Sequence, residues 1–467
     1  MTATDVDPRF PRVTTPLPGP RSREMLDRLD AVLKWHADGE VPFVEAGKDG
    51  WLIEDVDGNT FVDHCSAWGS TPLGVTPERV LVAVEEAQRR YGMEISAYVK
   101  SEPVIALAER LTSLAPQGLT RVSMDVSGTL VVEGGVKLAR EATGRPMILT
   151  FYGQYHGEAT YLTAGASTDL AEVTAHHAQY VPGFVFIPYP NSFRAPFQSG
   201  PGPFDDELYL DYLEEWVLVH QVEPTEIAGV LIEPVLGEGG ILVPSQAFWD
   251  RLTAMCRRWG WKLILDEVQT CMGRCGTMFA AERFGLEPDL ILLAKGFAGG
   301  GQPIAAILGT EEMMAASTVG LGGTFAWTPA AAAGALANIE EIEASGALAN
   351  ALEMERVASE ELGVAVDRHE QVGQVRAAGA YIGVEFVTDA QTRRPAPAFH
   401  RAVHMAAVRR GVFGITQWGK WVYRLQPAIN MPMDLFRWSC RQIVEAIDEV
   451  AADPPEEPIS LLERGDP

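Results

Sequence analysis

Lys295 closes one apolar run, Asp289-Leu-Ile-Leu-Leu-Ala-Lys295-Gly296, and Asp266 closes another, Lys262-Leu-Ile-Leu-Asp266-Glu267-Val268-Gln269. Each run has the length and composition of a buried strand, so each brings one ionisable group to a strand end. A lysine amine can form a Schiff base with an aldehyde, and a carboxylate can keep a pyridinium nitrogen protonated. Pyridoxal phosphate makes those two demands of a protein. A charged amine in such a place is costly without a chemical partner. A lysine that snorkels to water from a strand end accounts for these two runs equally well, so on their own they leave both readings open.

Two further segments could complete such a site. Val126-Ser127-Gly128-Thr129 precedes a helical run from about Leu130 to Arg140. A turn of small residues at a helix N-terminus presents backbone N–H groups and the positive end of the helix dipole, which suit a phosphate dianion. Ser127 and Thr129 add hydroxyls, although the same residues also make an ordinary helix cap. Phe151-Tyr-Gly-Gln-Tyr155-His156-Gly157 follows a strand. The Tyr155 ring could stack on a planar heterocycle or simply fill the core at a strand end.

The elements that must position these residues alternate. From about residue 77 to 330, helix patterns (Glu78 to Arg90, Val104 to Leu114, Glu133 to Thr143) interleave with short apolar strands at 146–151, 229–234, 261–266, 290–293 and 304–308. That order predicts an α/β domain with a mostly parallel sheet covered on both faces. The stretch from Tyr180 to Tyr209, rich in Pro, Phe and Gly, reads as a long ordered loop. Before the domain, Ser22 is placed to cap a helix over Arg23 to Lys34. Gly50 to Asp63 reads as a hairpin turning at Asp57-Gly58-Asn59. After a long helix near Pro329 to Ala344, strands at 377–387 and 421–425 flanked by helices indicate a smaller α+β domain. The expected division is 1–65 for the arm and part of the small domain, 66–330 for the large domain and 331–467 for the rest of the small domain.

The 467 residues are 47% hydrophobic, enough to bury a large core, and carry a formal charge of -26 from 63 acidic and 37 basic side chains. That balance argues against nucleic-acid binding, which needs a basic face. No apolar run reaches the roughly 18 residues of a membrane span, and the acidic N-terminus lacks a secretory h-region. Five scattered cysteines, Cys65, Cys256, Cys271, Cys275 and Cys440, form no zinc spacing and read as reduced thiols of a cytoplasmic protein.

Taken together, Pro18-Gly-Pro-Arg-Ser22, Ser127-Gly-Thr129, Tyr155-His-Gly157, Glu233-Pro-Val-Leu-Gly-Glu238, Asp266-Glu-Val-Gln269, Lys295-Gly296 and Gly322-Gly-Thr324-Phe325 resemble the class III, omega-type (subgroup II) pyridoxal-phosphate aminotransferases. The step of 29 residues from Asp266 to Lys295 fits that family. The resemblance implies fold type I, with a mostly parallel seven-stranded sheet in the large domain and a small α+β domain from both termini. It implies that Lys295 forms the Schiff base with pyridoxal 5'-phosphate and then shuttles protons, and that Asp266 pairs with the ring nitrogen. Tyr155 and Val268 would sandwich the ring, beside His156, and Gln269 would lie near its 3-oxygen. Ser127, Gly128 and Thr129 would hold the phosphate, and Thr324 would reach the phosphate of the neighbouring subunit in a homodimer with shared sites. Arg424 would bind the substrate carboxylate, and Glu238 would neutralise that arginine when an amine occupies the site. The activity implied is ping-pong transfer of an amino group from an amine or amino acid to an oxo acid. A racemase, epimerase or aminomutase on the same scaffold, or a non-catalytic relative, is the alternative.

The chain departs from the family pattern at Leu130, where Glu is usual, at Gly74-Val-Thr-Pro77 and at Thr328-Pro329. The most informative departure is Glu158, after Tyr155-His156-Gly157. Members acting on gamma-aminobutyrate or ornithine carry Arg there for a second carboxylate. A carboxylate at 158 repels a second acid, so the expected donor is a monoamine, a diamine or an amino acid with a neutral or basic tail.

Overall fold

The computed structural model describes residues 9–33, 42–168, 181–195, 197, 205–317, 321–416 and 420–457. The chain divides into two compact units, a larger one of residues 70–72 and 76–348 and a smaller one of residues 1–69, 73–75 and 349–467.

The larger unit is built on a seven-stranded sheet. Its strands are β1 (Arg121–Asp125), β2 (Met147–Tyr152), β3 (Phe184–Pro188), β4 (Ile227–Ile232), β5 (Lys262–Asp266), β6 (Leu290–Leu293) and β7 (Ala305–Gly309). Their order across the sheet is β1-β7-β6-β5-β4-β2-β3. Pairing is parallel from β3 through β6, and only β7 runs antiparallel to its neighbours β6 and β1. Strands β4, β6 and β7 are buried at every position, as expected of a sheet with helices on both faces. Helix α1 (Gly128–Thr143) packs on the sheet through Val131, Val132, Val136, Leu138 and Ala139, which join Ile148, Leu231, Ile264, Leu292 and Ile307 in one cluster. Gly134 and Gly135 let α1 lie close: a Cβ would stand 2.8 Å from Ile307 Cδ1 at the first and 3.0 Å from Leu292 Cδ2 at the second.

One expectation fails here. The stretch from Tyr180 to Tyr209 is not all loop: Phe184–Pro188 is the edge strand β3, paired in parallel with β2 from Ile148↔Phe184 to Tyr152↔Pro188. Its aromatic and β-branched residues suit a pleated surface, and that outweighs the proline and glycine around them. Residues 180, 196 and 198–204 lie outside the described residues.

In the smaller unit the predicted hairpin is present, with Leu52–Asp55 antiparallel to Thr60–Asp63. Val412–Phe413 then pairs in parallel with Thr60–Asp63, so residues from both ends of the chain share a four-stranded sheet. A second sheet holds Val372–Ala378, Tyr381–Phe386 and Val422–Leu425, all antiparallel. The first helix spans Pro20–Asp30, not Arg23 to Lys34, and Ser22 is inside it rather than at its cap. The cap comes from the hairpin turn: Asp57 accepts the Arg21 and Ser22 N–H groups at 2.8 and 2.9 Å and the Ser22 hydroxyl at 2.6 Å. A local reading of sequence could not see a cap supplied by a distant side chain.

Candidate active site

The parallel strands deliver their following residues to one edge of the sheet, where α/β proteins place ligands. Asp266 is the last residue of β5, and Leu292 of β6 pairs with it, so Lys295 begins three residues beyond that register point. Glu233 follows β4, Gln154 to Glu158 follow β2, and Ser127 follows β1 as the cap of α1.

Asp266 is 3% exposed. One carboxylate oxygen lies 2.7 Å from His156 Nδ1 and the other accepts the Val268 N–H at 3.0 Å. His156 Nε2 is buried with no hydrogen-bond partner among the described residues. Lys295 has the left-handed φ of 47°, unusual for a side chain of its size. Its amine stands 5.9 Å from the centre of the Tyr155 ring. Ser127 Oγ accepts the Leu130 N–H at 3.4 Å, a long cap bond.

Glycines knit these pieces together. A Cβ on Gly128 would lie 3.2 Å from Val268 Cγ1 and 3.7 Å from the Cβ of Ala294, the residue before Lys295. A Cβ on Gly157, whose φ is 100°, would lie 2.4 Å from Thr129 Oγ1. The α1 N-terminus, the Tyr155 loop, Val268 and the Lys295 turn therefore meet within van der Waals reach. Glu238 is buried, and its Oε1 accepts a hydrogen bond from Gln269 Nε2 at 3.3 Å. Glu158 is exposed at the end of the Tyr155 loop, and Thr324 is exposed in the segment before Phe325.

Arg424 belongs to the smaller unit. It is buried on the strand Val422–Leu425, opposite Gly383, with its guanidinium carbon 5.4 Å from the centre of the Trp68 ring. Ser66, Ala67 and Trp68 are consecutive residues with φ of 47°, 49° and 57°.

Sequence reasoning quoted Glu233 in a motif but assigned no role to it or to Gln154. Glu233 accepts the Tyr155 and Gly237 N–H groups, each at 2.9 Å, and its own N–H donates to Gln154 Oε1 at 2.5 Å. Burial, then the nearby Asp266 carboxylate, push the Glu233 carboxyl well above the usual carboxylate range. The signal was present in the sequence: Glu233 is an acid at the end of an apolar strand, as Asp266 is.

A mostly parallel seven-stranded sheet with a lysine and a buried acid at its C-terminal edge accords with the fold type I pyridoxal-phosphate enzymes. The model of the class-III aminotransferase family matches residues 36–447. The chain is 32% identical over 450 residues to the alanine/serine racemase of Pyrococcus horikoshii, covering 95% of this chain and 93% of that protein. It is 36% identical over 425 residues to a 4-aminobutyrate aminotransferase of Mycobacterium tuberculosis, covering 86% and 92%. The fold is similar to that of a PLP-bound amine transaminase from an uncultivated Pseudomonas species, with TM-score 0.81, 28% identity, and 90% and 97% of the two chains covered. The chain belongs to the class-III aminotransferase family. It is a pyridoxal 5'-phosphate-dependent transaminase that moves an amino group from an amine or amino-acid donor to an oxo acid.

Proposed function

We propose that Lys295, Asp266 and the groups around them form the cofactor site of this transaminase. The observation that carries this is the convergence of the Lys295 amine, the Tyr155 ring, the Asp266–His156 pair and the N-terminus of α1 at one sheet edge. The residues suit the cofactor. The N-terminal turn of α1 offers N–H groups and hydroxyls from Ser127 and Thr129 to a phosphate. Gly128 keeps the wall beside Val268 free of a side chain, and His156 Nε2 is a buried polar atom with capacity to spare.

When bound, pyridoxal phosphate supplies an electron sink for negative charge on the substrate carbon. Lys295 would anchor it and would hold and return the proton at that carbon. Asp266 stabilises positive charge on the ring nitrogen, and His156 fixes the orientation of the Asp266 carboxylate. Tyr155 and Val268 would hold the ring, Gln269 would serve its 3-oxygen, and Ser127, Gly128 and Thr129 would take the phosphate. Arg424 serves the carboxylate of the oxo acid as a planar fork of donors.

The second subunit contributes through Thr324 in a homodimer. Tyr98, Met93, Ile105 and Phe325 are 89%, 61%, 50% and 58% exposed on the larger unit, apolar side chains that a second subunit would cover. A cytoplasmic location accords with five free, buried cysteines. Glu158 disfavours a donor that brings a carboxylate to its end of the site, as 4-aminobutyrate would, and leaves a monoamine, a diamine or an amino acid with a neutral or basic tail.

The experiment is to record the absorbance of the purified enzyme and add candidate amines singly, without acceptor. A cofactor band that bleaches with an amine and returns with an oxo acid supports this reading; no band after reconstitution overturns it. The similarity to a racemase favours one second reading, isomerisation of a single amino acid. Turnover of that amino acid with no oxo acid present separates the two.

A further inference from the structure

One side chain joins the two loops that carry the candidate site residues. Glu233 is 4% exposed. Its Oε1 accepts the Tyr155 N–H and its Oε2 the Gly237 N–H, each at 2.9 Å. Its main-chain carbonyl accepts the Tyr189 hydroxyl at 2.9 Å, and its N–H donates to Gln154 Oε1. Gln154 and Tyr155 lie in the loop after β2. Gly237 lies in the loop after β4, which is closed by reciprocal bonds between Leu236 and Leu242 and carries Glu238. The loops touch: a Cβ on Gly239 would stand 3.1 Å from the Gly153 carbonyl oxygen.

The residue type needs explaining, because a buried acid near Asp266 and Glu238 is an expensive choice. No basic side chain pairs with Glu233 among the described residues. What only a carboxyl of this length offers is two acceptor oxygens, one for each loop; an amide has a single acceptor, and its NH2 would face an N–H donor.

We propose that Glu233 is a positioning residue for amino transfer, its two oxygens bridging the Tyr155 loop to the Glu238 loop so that the ring facing Lys295 and the carboxylate held by Gln269 keep a common register. This rests on the site reading given above. In Glu233→Gln one loop loses its acceptor and slips against the other.

Hydrogen exchange followed by mass spectrometry on the cofactor-free protein tests the bridge without reference to activity. In Glu233→Gln, peptides containing Tyr155 or Gly237 exchange about tenfold faster, the scale of one lost buried hydrogen bond, while peptides of β5 and β6 do not change. The loaded variant shows a raised KM for the amine together with a lowered kcat. If the Gln variant does not fold, Glu233→Asp, which keeps the carboxyl but is too short to span both donors, should loosen the same two peptides. Unchanged exchange at both loops, exchange accelerated throughout the sheet, or loosened loops with unaltered kcat and KM would each overturn the proposal. Lys295→Ala is run beside it: if that variant still transfers, the cofactor-site reading fails, while the exchange result for Glu233 stands on its own.

Discussion

Asp266 is gripped from two sides, by His156 Nδ1 and by the Val268 N–H. Asp266→Ala leaves both donors without an acceptor in a buried place, a loss of about 1–3 kcal/mol for each such group. Denaturant unfolding of the cofactor-free variant should show that loss, and transfer should fall with it. Lys295→Ala is the contrasting case. In the proposed role the amine acts on the substrate carbon, so its removal should lower transfer by about 100-fold or more, the scale of a lost acid–base group, while the cofactor-free variant still unfolds in one cooperative transition. Single-turnover measurements with an amine check this. Glu158→Arg should raise the preference for 4-aminobutyrate over a monoamine by about tenfold, equivalent to about 1.4 kcal/mol; an unchanged donor ratio would remove Glu158 from the specificity argument. Lys295 and Asp266 stood out in the sequence because each ends an apolar run, and the family resemblance supplied the roles proposed for them. Glu233 ends one too, but nothing in the sequence says that its carboxyl turns back to two backbone donors on different loops.

Helix α1 does two jobs, and its sequence serves both. Its N-terminus faces the proposed phosphate site, and its middle must lie against β5, β6 and β7. Gly134 and Gly135 weaken the helix by roughly 0.5–1 kcal/mol each relative to alanine. Alanine at either position would press on Ile307 or Leu292 at 2.8–3.0 Å. Overpacking a core costs about 1–3 kcal/mol, so the clash outweighs the gain in helix propensity. The double variant Gly134→Ala/Gly135→Ala should therefore melt lower than the parent in calorimetry, with reduced cofactor affinity as α1 is pushed from the sheet. Many of the helices and most central strands were readable from period and composition, although the helices Gln246–Trp259 and Ala347–Arg368 were not among those expected. Strand β3 was not, because its five residues sit amid turn formers and its strand character depends on pairing with β2.

At the scale of the whole chain, an excess of acidic groups gives a formal charge of -26, which favours solubility and weakens the compact state through self-repulsion. Acid sensitivity has a more specific source in the smaller unit. His64 is fully buried with neither ring nitrogen hydrogen-bonded among the described residues, and burial lowers its pKa to about 4. Burial likewise lowers His400 to about 3. Both folded values lie below the unfolded one. Between about pH 6.5 and the folded pKa the unfolded chain binds a proton that the folded chain refuses, so stability falls as pH drops through that window. At pH 5 His64 alone accounts for about 2 kcal/mol of that fall. Urea midpoints at pH 7 and pH 5 should differ less in His64→Met than in the parent; an equal difference would assign the acid sensitivity elsewhere.

The sequence by itself determined the α/β class and the mostly parallel sheet, which follow from short-range patterns: apolar runs and their period. The cofactor chemistry, and the roles proposed for Lys295 and Asp266, came from the resemblance of several motifs to one family, because the two runs alone left both readings open. Tertiary structure decided what depends on residues far apart in the chain. It placed the cap of the first helix on Asp57, gave Asp266 to His156, turned Phe184–Pro188 into an edge strand, and bound the Tyr155 and Glu238 loops to a single carboxyl. Each is a hydrogen bond or a pairing whose partner is set by packing, and no local pattern encodes the address of a partner.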